Sequence, residues 1–253
     1  MKVLAIIPSR YPSTRFPGKP LALLAGKPIV QWVWERVSAI SAVSRTVVAT
    51  DDRRIADAVE AFGGCAMMTA DTHRSGTDRC GEVLQTLERQ GEQYDVVVNV
   101  QGDEPFVAAA QVERLVAAFA DPAVLIATLK TPIRSEAELW SENNVKVVCN
   151  RHGNALYFSR LPLPFRRGVA KGQWLEQGPY FKHVGVYAFR AEVLPHLCAM
   201  PVGGLEQAES LEQLRWLEAG YPIAVAETDR ANIGIDTPDD LAEAEAWVKQ
   251  HEM

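Results

Sequence analysis

The amino-acid sequence predicts an α/β fold in which a mostly parallel sheet carries helices on both faces. Strand-like apolar runs alternate with segments of helical periodicity from the start of the chain to about residue 130, and this alternation is typical of parallel sheets. One run, residues 95–100, reads Asp-Val-Val-Val-Asn-Val, which favours a strand covered on both faces. After Lys130 the pattern changes, which indicates a smaller, inserted region of mixed α+β structure.

The elements of the first half follow one another in a regular order. We expect buried strands over residues 3–7, 46–50, 65–69, 95–100 and 125–129. Pro28 suits the first position of a helix, and Asp51-Asp52 can cap the next one, which Gly63-Gly64 would end. Thr77 can cap a third helix, and a fourth is expected over residues 109–119. This arrangement is Rossmann-like, and ligands of such sheets bind beyond the carboxyl ends of the strands.

The second half combines a hairpin, a long connection and a closing helix. Residues 145–149 and 155–158 are expected to pair as a hairpin, and residues 161–182 read as a long loop rich in proline, glycine and aromatic residues. A connection of that length is usually functional or an arm toward another subunit. The later elements are expected to be a strand at 183–189, a helix at 205–219 and a strand at 223–226. Thr237 as cap and Pro238 as first residue then begin the last helix.

The composition argues against several classes of protein. The chain of 253 residues is 47% apolar, enough for a large core, and its net charge of −6 argues against a general nucleic-acid binder. We expect neither a membrane span nor a signal peptide, because no apolar run is long enough and no cleavage site follows the first strand. The cysteines are far apart and the histidines lack zinc-ligand spacing. We therefore expect a cytoplasmic protein with reduced thiols and no structural zinc.

The stretch that follows the first strand is the main candidate for a binding site. Residues 8–20 contain Arg10, Arg15 and Lys19 among prolines and hydroxyl residues, and residues 1–34 carry five Lys or Arg residues and no acidic residue. Prolines restrict the free loop, so its amides and cations are held roughly in place before a ligand arrives. Backbone amides with Arg and Lys side chains are typical of polyphosphate sites. We interpret the loop as a nucleotide-phosphate site, and a solvated basic loop is the alternative.

Two aspartates are candidate metal ligands. Asp103 follows the strand at 95–100 and would face the phosphate loop, and Asp236 ends a strand just before the last helix. A carboxylate opposite a polyphosphate requires a cation between them, and Mg²⁺ bound by carboxylate and phosphate oxygens is the usual solution. We therefore predict Mg²⁺ on Asp103 and Asp236. The alternatives are a simple turn for Asp103 and a helix cap for Asp236, a role that Thr237 already suits.

Six motifs together resemble a known enzyme family. They are the loop motif at residues 7–21, Val-Asn-Val-Gln-Gly-Asp-Glu-Pro at 98–105, Ala-Leu-Tyr-Phe-Ser-Arg at 155–160, His-Val-Gly-Val-Tyr at 183–187, Leu-Glu-Gln-Leu-Arg at 211–215 and Asp-Thr-Pro-Asp-Asp-Leu at 236–241. The set resembles the 3-deoxy-manno-octulosonate cytidylyltransferases, or CMP-Kdo synthetases, over nearly the whole chain. The first and last motifs resemble sugar nucleotidyltransferases in general, whereas the Ser-Arg, His-Val-Gly-Val-Tyr and Leu-Glu-Gln-Leu-Arg segments narrow the resemblance to this family.

The resemblance implies a reaction and the residues that perform it. CTP and the acidic keto-sugar 3-deoxy-manno-octulosonate (Kdo) would give CMP-Kdo, for lipopolysaccharide precursor synthesis, and pyrophosphate, with Mg²⁺ as cofactor. Catalysis would depend on Arg10, Lys19, Asp103 and Asp236. The nucleotide would contact Pro8, Arg10, Ser13, Arg15, Lys19, Arg74, Ser75, Gly76, Thr77 and Asp103. The sugar would contact Gln101, Arg160, His183, Tyr187, Glu212 and Gln213. Arg160 is the expected partner of the sugar carboxylate.

The change of pattern after Lys130 also suggests a division of the chain. Residues 1–130 with 221–253 would form the nucleotide-binding domain and residues 131–220 a region for sugar binding and dimerisation, with a single compact unit as the alternative. The long connection at 161–182, with its aromatic residues, suggests a homodimer. Taken singly, the sugar-binding residues have ordinary structural alternatives, such as a core position for Tyr187 and a solvated helix face for Glu212 and Gln213. The Ser75-Gly76-Thr77 segment would likewise be an ordinary helix start without the resemblance.

Other functions fit fewer of these features. A nucleotidyltransferase for a related acidic sugar, such as 8-amino-Kdo, would keep most of the motifs. A non-catalytic nucleotide-sensing module would keep the phosphate loop but would not need both aspartates. A dinucleotide-dependent oxidoreductase is disfavoured because the first loop lacks Gly-x-Gly-x-x-Gly. A metal-dependent glycosyltransferase would need an Asp-x-Asp pair where this chain reads Gln-Gly-Asp-Glu, at residues 101–104.

Overall fold

A computed structural model describes residues 1–12, 15–229 and 234–251 of the chain. The strands, in chain order, are β1 (Val3–Pro8), β2 (Leu23–Leu24), β3 (Lys27–Pro28), β4 (Arg45–Thr50), β5 (Ala66–Met68), β6 (Val96–Asn99), β7 (Ile126–Pro132), β8 (Lys146–Cys149), β9 (Ala155–Ser159), β10 (Phe181–Arg190) and β11 (Ile223–Glu227). The α-helices are α1 (Ile29–Ser38), α2 (Arg53–Ala61), α3 (Gly76–Arg89), α4 (Ala109–Ala118), α5 (Glu136–Trp140), α6 (Leu194–Cys198), α7 (Gly204–Glu209), α8 (Gln213–Glu218) and α9 (Pro238–His251). Short 3-10 turns occupy Lys19–Leu21, Lys171–Gln173 and Leu175–Gln177.

The first of two compact units comprises Met1–Val116 and Asn232–Met253. Its sheet has the order β6-β1-β4-β5, and each neighbouring pair is parallel. Ile6 of β1 lies beside Val47 on one side and Asn99 on the other, so β1 is an inner strand. Parallel strands place their carboxyl ends at one edge, and the segments after Pro8 and Asn99 therefore meet there. The predicted α/β class with a mostly parallel sheet is confirmed.

Helix caps explain where the helices of this unit begin. The Asp52 carboxylate accepts a hydrogen bond from the backbone N–H of Arg54, as the sequence predicts for one member of the Asp51-Asp52 pair. The cap of α3 is Ser75, whose hydroxyl accepts from Asp78 N, and the expected cap Thr77 is instead buried inside the helix. The prediction was two residues late because the helix already begins at Gly76.

The start of α9 is fixed by a capping box and an apolar cluster. Thr237 Oγ1 accepts from Asp240 N at 3.2 Å, and the Asp240 carboxylate accepts from Thr237 N at 2.8 Å. Burial opposes ionisation of Asp240, but its hydrogen bonds from the backbone of Asp236 and from Thr237 prevail and lower its pKa. Ile235 lies in a buried cluster with Leu24, Ile29, Ala244 and Val248. This packing fixes the chain on both sides of Asp236.

The second unit, Ala117–Ala231, contains a mixed sheet. In it β7 is parallel to β11 and antiparallel to β10, and the hairpin of β8 and β9 pairs with β10 through β8. The boundary predicted at residues 130 and 221 differs from that of the compact units, because β7 and β11 both belong to this sheet. The assignment of nucleotide and sugar binding to separate domains stays a prediction.

Two segments of the second unit differ from the sequence-based expectation. The single helix expected over residues 205–219 is two helices, α7 and α8, because Ser210 between them adopts a left-handed conformation with φ of 53°. The long connection at 161–182 contains the two 3-10 turns, and its Trp174 and Tyr180 are buried in a small cluster with Ile133 and Leu139. This connection is therefore partly ordered by its own aromatic residues and is not the structureless loop that the sequence suggests.

Among the residues that the structure describes, every helix is too short or too polar to cross a lipid bilayer. The four cysteines are free thiols, as the sequence predicts.

Candidate active site

A cavity of about 430 Å³ lies in the first unit at the carboxyl edge of its parallel sheet. Four chain segments line it: the loop after β1, the start of α3 with the turn before it, the turn after β6, and Asp236 before α9. The predicted site residues on its wall are Pro8, Arg10, Arg15, Lys19, Arg74, Ser75, Gly76, Gln101, Asp103 and Asp236. Thr77 is buried within α3 and is not part of the wall, and Ser13 lies outside the described residues.

Lys19 joins the two predicted metal ligands. Its Nζ lies 2.5 Å from Asp103 Oδ2 and 3.1 Å from Asp236 Oδ1. The side chain of Lys19 is 12% exposed, whereas those of Asp103 and Asp236 are 32% and 49% exposed, so both carboxylates face the cavity as well as the lysine. Arg15 adds a second cation at 3.0 Å from Asp236 Oδ2. The single ammonium group of Lys19 therefore contacts both carboxylates at once.

Backbone contacts hold the two aspartates beside each other. Ile235 N donates to Asp103 O at 2.9 Å, which ties the turn after β6 to the segment before α9. The capping of α9 is done by Thr237 and Asp240. The carboxylate of Asp236 is thus not needed as a cap, which agrees with the prediction from sequence.

The turn before α3 forms another wall of the cavity. A Cβ at Gly76 would lie 3.1 Å from Pro8 Cγ, so the absence of a side chain lets the start of α3 approach Pro8 closely. The Glu82 carboxylate accepts from Ala70 N at 2.9 Å and pairs with His73 Nε2. Burial opposes ionisation of Glu82, but these hydrogen bonds prevail and lower its pKa. The Glu82 carboxylate of α3 therefore holds the turn in place through its contacts with Ala70 and His73.

Gly102 is the tightest point of the cavity wall. A Cβ there would lie 2.5 Å from Ser9 Oγ and 2.8 Å from the carbonyl oxygen of Pro8, closer than real contacts allow. We expect Gly102→Ala to lower the free energy of unfolding by about 1–3 kcal/mol, because the backbone of the phosphate loop must shift. Thermal or urea unfolding measures this. Gly172→Ala is the control, because no atom lies within 4 Å of its Cβ position; equal stability of the two variants would contradict the prediction.

Arg79 also lines the cavity, although no motif in the sequence points to it. It is 3% exposed, and its guanidinium donates to Asp51 Oδ2 at 2.6 Å and to Thr69 Oγ1 at 2.7 Å. It joins the ends of β4 and β5 to α3. The only signal in the sequence is its place two positions after Thr77, on a helix that faces the sheet, and such a position does not by itself predict a buried ion pair.

The predicted sugar-binding residues other than Gln101 belong to the second unit. The guanidinium of Arg160 donates to three backbone carbonyls, at Glu209 (2.8 Å), Glu142 (3.0 Å) and Ser210 (3.4 Å). The predicted contact of Arg160 with the sugar carboxylate stays a prediction. Glu212 and Gln213 follow directly after this point, and Gln213 is buried.

His183 and Tyr187 lie together on β10. His183 Nε2 lies 2.8 Å from Thr128 Oγ1, and its ring lies edge-on to Phe158. Within the described part of the chain the buried hydroxyl of Tyr187 has no hydrogen-bond partner. Burial and then the nearby charge of Glu212 raise the pKa of Tyr187. An unpaired buried hydroxyl is costly without a ligand, so it is consistent with the predicted contact to a sugar.

The partly buried position of His183 on β10 has a consequence for stability. Burial lowers the pKa of His183 to about 3, whereas the unfolded chain takes up the proton near about pH 6.5. Between these values the unfolded state binds more protons, so stability falls as the pH is lowered. We expect His183→Gln to lessen this loss by up to about 1.4 kcal/mol per pH unit. Urea unfolding at several pH values measures it. The exposed His196→Gln is the control, and parallel curves for wild type and His183→Gln would contradict the prediction.

The fold and this cavity together define a nucleotidyltransferase: cations on the loop after an inner parallel strand face two carboxylates at the same edge. Residues 4–227 match the family described as cytidylyltransferase. The chain belongs to the cytidylyltransferase family and is a nucleotidyltransferase, so the enzyme class that the motifs predict is confirmed.

Comparison with individual proteins agrees with the family. The chain is 54% identical to the 3-deoxy-manno-octulosonate cytidylyltransferase of Phocaeicola vulgatus, covering 100% of this chain and 99% of that protein. It is 51% identical to the protein of the same name from Parabacteroides distasonis, covering 98% of each. The solved structure of a CMP:2-keto-3-deoxy-manno-octonic acid synthetase complexed with CTP matches with a TM-score of 0.90, 44% identity and 99% coverage of both chains. The resemblance that the motifs indicate is confirmed.

Proposed function

We propose that this protein transfers the cytidylyl group of CTP to Kdo, giving CMP-Kdo and pyrophosphate. The observation that supports it most directly is the bridge from Lys19 to both Asp103 and Asp236 in a cavity lined by the phosphate loop. The names of the relatives and the CTP complex of the structural neighbour support the nucleotide and the sugar. As in the proposal from sequence, CMP-Kdo would supply lipopolysaccharide precursor synthesis in the cytoplasm.

The cations of the cavity suit a triphosphate. Arg10 and Arg15 are exposed on its wall, and Lys19 is partly buried beside the carboxylates. Negative charge grows on the leaving pyrophosphate as its bond to the α-phosphorus breaks. Preorganised cations therefore stabilise the transition state more than the ground state. Arg10, Arg15 and Lys19 would hold the phosphates in line for the attack of the sugar hydroxyl.

The two aspartates fit the proposed Mg²⁺. Because one ammonium group reaches both carboxylates, one small cation can do the same. Within the described ranges there is no cluster of three or more His, Cys, Asp or Glu residues that could hold a metal. Two carboxylates completed by phosphate oxygens and water are the usual surroundings of Mg²⁺. When bound, the ion supplies positive charge to the reacting phosphate.

The second unit supplies the residues proposed for the sugar. Arg160 offers a cation for the sugar carboxylate, and the unpaired hydroxyl of Tyr187 offers a donor for a sugar oxygen. Gln101, which lines the cavity of the first unit, is proposed to contact the sugar as well. The chemistry would depend on positioning and electrostatics of these groups.

The test is pyrophosphate release by the purified protein with Mg²⁺. We expect release to require both CTP and Kdo, and to be much slower with ATP, GTP or UTP. A higher kcat/KM with 8-amino-Kdo would favour the related acidic sugar as the substrate. CTP binding without release in the presence of any acidic sugar would contradict the proposal and favour a nucleotide-sensing module.

We also propose that the protein forms a homodimer through its long connection. Leu161 and Phe165 at the start of this segment are 64% and 72% exposed, and large apolar side chains on the surface are frequent at interfaces. Sedimentation at micromolar concentration should show a dimer. A monomer alone at that concentration would contradict this part of the proposal.

A further inference from the structure

Lys146 on β8 is a buried lysine whose hydrogen-bond partners are all neutral. The residue is 0% exposed. Its Nζ donates to the carbonyl oxygens of Ser141 at 2.8 Å and Asn144 at 2.6 Å, and to that of Arg160. An ammonium group has three N–H donors, so these contacts use all of them. Burial is the main cause that lowers the pKa of Lys146.

The third of these carbonyls belongs to the arginine proposed for the sugar carboxylate. The backbone of Arg160 accepts from Lys146 through its oxygen and donates through its N–H to the Glu209 carboxylate at 3.0 Å. Its guanidinium donates to carbonyls at Glu209, Glu142 and Ser210. A guanidinium has five N–H donors, so two remain for a ligand. The backbone and the side chain of Arg160 are therefore both held in place.

The carbonyls around Lys146 and Arg160 stabilise the two positive charges without cancelling them. The one carboxylate bonded in this network, Glu209, accepts from Ser159 Oγ at 2.7 Å and from the backbone N–H of Arg160, and from neither charged side-chain group. Arg160 is partly exposed, whereas Lys146 is fully buried. The charges of Glu142 and Glu209 both act on Lys146, so two cations offset two anions around the accessible guanidinium. Without the charge of Lys146 the surroundings of Arg160 would carry a net negative charge, which opposes the binding of a carboxylate.

We propose that Lys146 is a positioning residue for acid recognition: it fixes the backbone of Arg160 and adds positive charge behind it, so that the free N–H groups of Arg160 bind the carboxylate of a 2-keto sugar acid. This inference rests on the proposed function, since it concerns the acidic substrate. Lys146 itself does not contact the sugar, because all of its donors are used and its side chain is buried.

The test separates the binding of the acid from the binding of CTP. Lys146→Met removes the ammonium and keeps a side chain of similar length. We expect KM for Kdo to rise by about tenfold or more while KM for CTP changes by less than about twofold. We also expect the preference for Kdo over its C1 carboxamide to fall by about the same factor as KM rises, because the field that favours a carboxylate is weakened.

A matched control lies on the neighbouring strand. Lys182 of β10 pairs with Lys146 in the sheet register, and its Nζ forms an ion pair with Glu138 at 2.6 Å. Lys182→Met also removes a lysine from the strands of the second unit but leaves the contacts of Arg160 intact. We expect it to keep the preference for the acid over the carboxamide. Thermal unfolding of both variants shows how much of any effect is a loss of fold.

The possible results distinguish this inference from the proposed function. If Lys146→Met does not fold, Lys146→Gln takes its place. Because glutamine keeps N–H donors for the carbonyls and loses only the charge, we expect it to lower the preference for the acid with a smaller rise in KM for Kdo. An unchanged preference for the acid, or equal changes in both KM values, would overturn the inference and leave Lys146 a structural residue. A wild-type protein that releases no pyrophosphate with Kdo would instead overturn the proposed function.

Discussion

Replacing Asp103 by asparagine is expected to lower kcat by about 100-fold or more without unfolding the protein. The side chain of Asp103 is 32% exposed to the cavity, and its carboxylate contacts Lys19 at 2.5 Å. Asparagine has nearly the same shape, but it carries no charge and is a poor ligand for a hard divalent cation. The backbone contact from Ile235 N to Asp103 O does not involve the side chain and should survive the change.

Steady-state pyrophosphate release at saturating CTP and Kdo measures this effect. Asp95→Asn is the matched control, because Asp95 precedes the same strand, β6, at its opposite end, where its carboxylate accepts from the backbone N–H of Lys2. We expect that control to keep kcat within about twofold. Near wild-type turnover of Asp103→Asn with an intact fold would remove Asp103 from the proposed metal site.

Replacing Lys19 by methionine is expected to weaken the use of CTP by about 2 kcal/mol or more, which is about 30-fold in kcat/KM for CTP. Two losses add: the charge-assisted contact to the phosphates disappears, and the carboxylates of Asp103 and Asp236 lose their shared cation. The second loss increases the repulsion between these carboxylates and the incoming triphosphate.

Kinetics with CTP as the varied substrate, and direct binding of CTP, check this prediction. Lys27→Met is the control, because Lys27 is a partly exposed lysine of the same region whose Nζ pairs with Glu35 at 2.5 Å and does not line the cavity. The thermal unfolding temperatures of both variants should be reported beside the kinetics. An unchanged kcat/KM for CTP in Lys19→Met would contradict the interpretation of residues 8–20 as a phosphate site.

The parts of the fold that depend on local pattern were predictable. The strand that ends at Pro8 and the capped start of α9 agree with the structure, because apolar periodicity and helix caps are properties of short segments. The break at Ser210 was not predictable, because serine rarely adopts φ of 53° and no glycine or proline marks the point. The compact units have other bounds than the predicted division for a related reason, since the partners of β7 and β11 are set by the sheet and not by neighbours in the chain.

The candidate site likewise has parts that were predictable from the sequence and parts that were not. Its charged loop, its two aspartates and the family resemblance were visible in the sequence, because each motif is a short run of unusual residues. The buried contacts of Arg79 and of Lys146 were not, because each includes hydrogen bonds to residues between 10 and 28 positions away in the chain.

The sequence by itself determined the α/β class, and it pointed to the basic loop and to Lys19, Asp103 and Asp236 as the candidate site. Only the tertiary structure decided that one lysine reaches both aspartates, from which it is separated by 84 and 217 residues. It likewise decided that the ammonium group of Lys146 donates to the backbone carbonyl of Arg160. The physical reason is that periodicity and capping act over a few residues, whereas distances of about 3 Å between remote side chains depend on strand register and core packing.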